Sequence, residues 1–187
     1  MEPRIVMEAY INTLYESDFY RILDFKCRCK ICGESKPEYS ESFCISFVRK
    51  GNFLFNIFRQ SLDSYNGCLL ITKPGYERTV THIHTVPDEC SIFDFKPGFY
   101  NRLKEQFRHS KFFSSNDLHS TLTKISADTD FLHFQIMHLI GSGSCTKLQI
   151  DHLVMELVNT AMKNITDYEP NDRINDRLKK NHLITIE

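Results

Sequence analysis

Three thiols fall within six positions of "KCRCKICG", at Cys27, Cys29 and Cys32, and "THIHTVPDEC" further along carries His82, His84, Glu89 and Cys90. Thiolates and imidazoles are the ligands zinc prefers, and a structural zinc takes four of them in a tetrahedron. The C-x2-C pair Cys29 and Cys32 is half of such a site, with Gly33 easing the bend behind it. His82 and Cys90, on either side of the turn "TVPDE", supply the other half if the two stretches lie side by side. The pattern therefore predicts a structural zinc clasp of Cys29, Cys32, His82 and Cys90, with Cys27 on the same side of a strand as Cys29. The three N-terminal thiols alone suit a thiol or zinc sensor. As small apolar side chains they suit a packed core equally well, which is how Cys44, Cys68 and Cys145 read.

A second chemistry overlaps the first. Gly75, His82, His84, Glu89 and Gly98 resemble the first motif of metal-dependent cupins, in which two imidazoles on one strand face and a following carboxylate hold a divalent metal. The spacing departs from that motif before His82 and after Glu89, and the stretch closes the predicted run of strands instead of opening it. A cupin enzyme using His82, His84 and Glu89 is accordingly the alternative reading. The plainer one is a half-buried strand, with Val80, His82 and His84 on one side and Thr81, Ile83 and Thr85 on the other. No serine sits in a G-x-S-x-G elbow, and "GSGSCTK" lacks the ending of a phosphate loop. No catalytic residue is assigned, and the chain is expected not to be an enzyme.

Composition narrows the partners. The 187 residues carry 23 Lys and Arg against 24 Asp and Glu, so no basic face is available to neutralise a run of phosphates. No apolar run approaches the length of about 18 residues needed for a membrane span. The opening "MEPRIVMEAYINTLY" is polar and acidic where a signal peptide would be basic and then apolar. A cytoplasmic chain is expected, and its seven cysteines, an odd number, suit free thiols or metal ligands better than a disulfide framework.

These groups need elements to hold them. Apolar residues in 5–22 are irregular, and residues 1–24 read as an N-terminal extension with at most a short helix. Residues 25–127 read as an antiparallel β-barrel or sandwich: "SFCISFVRKGNFLFNIF", "CLLITKPG", "RTVTHIHTV" and "CSIFDF" are β-branched and aromatic runs cut by "KG", "YNG", "KPG" and "VPD". In the first run Phe43, Ile45 and Phe47 share one side, and Gly51 can take the positive φ of a tight turn. A short helix at "FYNRLKEQF" and a strand at "HSTLTKIS" close this region. A helix pair follows over 128–167. Its first member carries Leu132, Ile136, Leu139 and Ile140 behind an Asp128 cap and ends at "GSGS". The second carries Leu153, Val154, Leu157, Val158, Ala161, Met162 and Ile165, a face wide enough to predict a partner chain. The fold class is thus mostly β with α, and residues 168–187 read as a linker turning helical.

This order of parts resembles the N-terminal region of AraC-family transcriptional regulators. The likeness rests on "ISFVRKGNFLFNIF" with "GCLLITKPGYERTVTH", on "HTVPDECSIFDF", on "LQIDHLVMELVNTAMKNI" and on "RLKKNHLITIE", the last similar to the start of a helix-turn-helix domain. The resemblance implies a cupin-like ligand-sensing barrel and dimerisation helices. DNA would be bound only through a C-terminal domain absent from this chain. It implies a homodimer through Leu153, Leu157, Val158, Ala161, Met162 and Ile165, and an unidentified small-molecule effector held by inward-facing strand residues, for which Phe47, Phe53, Phe55, Arg59 and Glu77 are the candidates. "EYSES" has no histidine where many cupins place a ligand, so the resemblance implies no catalytic metal.

Overall fold

Short alternating runs separated by glycine turns give ten strands and four helices among residues 9–29, 33–83 and 86–166, which the computed structural model describes. In chain order these are β1 (Ala9–Glu16), β2 (Tyr20–Cys27), β3 (Glu38–Ser40), β4 (Phe43–Lys50), β5 (Asn52–Ile57), β6 (Gln60–Tyr65), β7 (Cys68–Thr72), β8 (Tyr76–His82) and β9 (Glu89–Phe95). Then come α1 (Pro97–Gln106), α2 (Lys111–Ser114), β10 (Ser120–Lys124), α3 (Ala127–Ser142) and α4 (Lys147–Thr166). The strands form two antiparallel sheets, ordered β1-β2-β9-β4-β7-β10 and β3-β8-β5-β6. The expected antiparallel sandwich followed by a helix pair is therefore present.

Strand parity divides the interior into two cores, with the six-stranded sheet as the middle layer. Phe43, Ile45 and Phe47 of β4 join Tyr20, Ile22, Leu69, Ile71, Phe93 and Phe95 on the side that meets the helices. Val48, Leu70 and Cys90 point the other way and meet Phe53, Phe55, Ile57 and Val80 of the four-stranded sheet. Since residues i and i+2 of a strand share a face, each inward position is assigned to one core or the other. Gly51, between β4 and β5, has φ +75, as the turn predicted, and lies against the backbone of Asp88.

Three expectations are corrected. Residues 9–24 are neither an extension nor a helix: β1 and β2 pair at the edge of the large sheet, and Tyr20 and Ile22 are wholly buried. The register shift between Thr13 and Tyr15 breaks the alternation that would have marked β1 as a strand. The Tyr20 hydroxyl also donates to Asp151 Oδ1 at 2.7 Å, fastening this hairpin to α4. The cap of α3 is Ser126, whose Oγ accepts from the Thr129 N–H at 3.3 Å. Asp128 and Asp130 lie in the first turn, where carboxylates favour the helix dipole.

The third correction concerns α4. Leu157, Val158, Ala161 and Met162 are fully buried within the chain's own core, and the half-buried Leu153 and Ile165 pack on the same cluster. Its width is explained by two neighbours in the same chain, α3 and the large sheet, so this face is already covered. Among the exposed apolar side chains of the helix pair are Phe131 and Phe134 on α3, 59% and 67% exposed, and Leu148 at the start of α4. Residues 168–187, expected to form a linker, fall outside the described residues. Among the described residues no helix is long and apolar enough to cross a membrane.

Candidate functional site

Two groups of side chains gather from separate elements. The first stands at the end of the sandwich. β2 delivers Cys27 on the parity of Phe25, facing the small sheet, and β8 delivers His82 on the parity of Val80. Cys27 Sγ lies 3.8 Å from His82 Nδ1, and Cys29 Sγ lies 3.7 Å from His82 Nε2. The Cys29 backbone N–H donates to Cys27 Sγ at 3.3 Å, which folds the chain so that both thiols meet one imidazole. Asp88 stands behind the ring, with Oδ2 3.1 Å from His82 Nδ1, and its carbonyl accepts from the Cys27 N–H at 2.8 Å. Cys27, His82 and Asp88 are buried, and Cys29 is partly open. Burial pushes the Cys27 thiol up to about 11.

Cys27, Cys29 and His82 are thus brought together, with one ligand atom from each lying within 4.8 Å of the others. Cys90 is not in this group: it sits in the apolar interior with Val48, and burial, then the Asp88 carboxylate, raises its thiol to about 12. Cys32 and His84 fall outside the described residues. The cupin-type grouping of His82 with Glu89 is not formed, because Glu89 points to the opposite face and pairs with Lys50 at 3.3 Å. The carboxylate at His82 is Asp88, one position earlier, which the sequence reading missed. The neighbouring "PDE" offers two acids, and only the β9 register tells which one turns inward.

The second group lies on the other side of the large sheet. A concavity of about 450 Å³ is lined by Phe47, Arg49, Asn66, Ser126, Asp130 and His133, where the sandwich edge meets α3. It continues into a groove of about 520 Å³ that adds Phe131, Phe134 and Met137. The His133 ring stacks on Phe47 with centroids 4.2 Å apart and planes at 15°. Arg49 is held by the Asp24 carboxylate and also donates to the Cys90 carbonyl at 3.3 Å. Burial, then the Arg49 charge, holds the His133 imidazole down at about 4, so it is neutral near pH 7. Its Nε2 is buried with no hydrogen-bond partner among the described residues.

The predicted effector residues do not share one site. Phe47 belongs to the concavity under α3, whereas Phe53 and Phe55 fill the interior between the sheets. Arg59 is exposed in the β5–β6 turn, and Glu77 is exposed on β8. The inward charged residue is the next one, Arg78, which lies 5.4 Å over the Phe55 ring and pairs with Glu38 at 3.2 Å. Sequence reasoning also missed Arg49 and His133, although Arg49 shares the parity of Phe47 and so was within reach.

No model of a known protein family matches the chain, and no curated protein matches it. Among solved structures, a cupin domain from Bordetella pertussis Tohama I is 12% identical, covering 50% of this chain and 99% of that one with a TM-score of 0.41. A cupin superfamily protein from Desulfitobacterium hafniense is 13% identical, covering 51% and 83%, with a TM-score of 0.40. A cupin family protein with a double-stranded β-helix fold from Methanocaldococcus jannaschii is 13% identical, covering 54% and 93%, with a TM-score of 0.41.

Proposed function

We propose that the chain is the effector-sensing and dimerising part of a transcription regulator of the AraC type, and that its effector binds in the concavity under α3. One observation carries this reading: about 450 Å³ of space opens where the sandwich meets a helix, lined by Arg49, Asp130 and His133 over Phe47. That is the size and mixed lining of a small-molecule site, with an apolar floor and a few convergent polar groups. Arg49 supplies donors, Asp130 acceptors, and the neutral His133 a nitrogen with no partner among the described residues. A small polar molecule with hydrogen-bonding groups of both kinds fits this set. It would touch β4 and α3 together and so favour one placement of the helix over another. The near-zero net charge suits a part that leaves DNA to a separate basic domain.

The dimer follows from the same helix. Residues 131–146 contain no Asp, Glu, Lys or Arg, and α3 exposes Phe131 and Phe134. Two copies related by a two-fold axis meet there without like-charge repulsion, and Arg49 and Asp130, which flank the groove, are of opposite sign and can pair across it. Effector and partner copy then share α3, which couples sensing to dimerisation.

The test is a thermal-shift screen of sugars, hydroxy acids and nucleosides on the native chain and on Ala127→Trp, a substitution at an exposed lining residue that fills the concavity. A compound that raises Tm in the native chain and not in the variant supports the site. Compounds that stabilise both equally bind elsewhere and refute it.

A further inference from the structure

The cluster at the end of the sandwich plays no part in that effector site and stands on its own geometry. A tetrahedral zinc with Zn–S bonds of about 2.3 Å and Zn–N bonds of about 2.0 Å sets its ligand atoms roughly 3.5 to 3.8 Å apart. Cys29 Sγ and His82 Nε2 are already 3.7 Å apart, Cys27 Sγ is 3.8 Å from the other ring nitrogen, Nδ1, and one ligand atom from each of the three residues lies within 4.8 Å of the others. Closing the set onto one ion at Nε2 takes a side-chain adjustment at Cys27, whose Sγ stands beside Nδ1. Asp88 Oδ2, 3.1 Å from His82 Nδ1, can accept a hydrogen bond from Nδ1–H and leave Nε2 as the ligand. A carboxylate behind a metal-binding imidazole fixes its tautomer and ring orientation in this way.

We propose that Cys27 Sγ, Cys29 Sγ and His82 Nε2 bind one divalent cation of the zinc class, with Asp88 as the positioning residue. Two thiolates and an imidazole select a soft to borderline tetrahedral ion over magnesium or calcium, which take oxygen. The site joins the end of β2 in the large sheet to the end of β8 in the small one. The His82 N–H donates to the Gly33 carbonyl at 3.0 Å, so the chain leaving Cys29 returns to the same strand. A metal there is a clasp between the two sheets, held away from the concavity under α3.

The test is a Co(II) titration of the metal-stripped, reduced full chain, with Zn(II) in competition. The expected result is one Co(II) per chain, with thiolate charge-transfer absorption and the intense visible bands of a tetrahedral ion, all displaced by Zn(II). Cys29→Ser, at the partly open position, loses much of the charge-transfer absorption while circular dichroism shows the fold intact. Asp88→Asn keeps the spectrum and weakens binding about 10- to 100-fold, the range for losing such a carboxylate. A pale octahedral spectrum from the native chain overturns the proposal. So does a tetrahedral spectrum that survives in Cys27→Ser/Cys29→Ser, which would locate the ion elsewhere. An effector response that persists in Ala127→Trp refutes the concavity and leaves this outcome unaffected, so the two proposals fail separately.

Discussion

His133 offers the sharpest energetic prediction. Its ring is stacked on Phe47 and faces Arg49 from β4 and Asp130 from its own helix. The imidazole falls from 6.5 to about 4 on folding, chiefly through burial and next through the Arg49 charge. Between these values the unfolded chain takes up a proton that the folded chain refuses, so stability is lost as pH falls through the upper value and levels off below the lower one. The loss from this residue alone is about 2 kcal/mol on going from about pH 8 to about pH 5. His133→Phe keeps a ring over Phe47 and removes the titration. Urea unfolding of both proteins at the two pH values should show the native chain losing about 2 kcal/mol more than the variant, with the contributions of other groups cancelling. Equal pH dependence in the two proteins would refute the buried, neutral state of His133.

Three further outcomes can be measured. Gly51→Ala places a β-carbon against the Asp88 backbone, 2.9 Å from its Cα, at φ +75, and should cost about 2 to 4 kcal/mol in urea unfolding. Tyr20→Phe removes one of the two hydroxyls that Asp151 accepts from, and about 1 to 2 kcal/mol of stability should go with it. Phe134→Asp puts a like charge on each side of the proposed two-fold, and sedimentation should find the native dimer converted to monomer with the helix content unchanged. A native chain that is already monomeric at high micromolar concentration would remove the dimer from the reading.

The sandwich was legible because β5 alternates cleanly, β4 and β9 are short β-branched and aromatic runs, and glycine marks the turns, with Gly51 adopting the positive φ its position called for. The first hairpin was not, since β1 is a half-exposed edge strand whose register shifts at Thr13 and Tyr15. Phe47, Phe53 and Phe55 read alike as inward strand residues. Phe47, however, faces the helices from the six-stranded sheet, whereas Phe53 and Phe55 belong to the four-stranded sheet and face the interior between the two, a division that strand alternation alone does not reveal. The same ambiguity of one position exchanged Glu77 for Arg78 and Glu89 for Asp88. On α4 the aliphatic stripe was read correctly as buried and its cover was misassigned, because periodicity reports burial and not whose chain provides it. Cys29 and His82 were grouped in the sequence reading within a clasp that also took Cys32 and Cys90; β2 and β8 lie in different sheets, and Cys27 and His82 meet because both turn into the space between them.

Hydrogen exchange with the best stabilising compound from the screen tests most directly whether a ligand in the concavity acts through α3. Slower exchange is predicted in β4, in the Asn66–Gly67 turn and along α3, with the amides of β1 unchanged. Protection confined to the small sheet, with α3 exchanging as before, would contradict it.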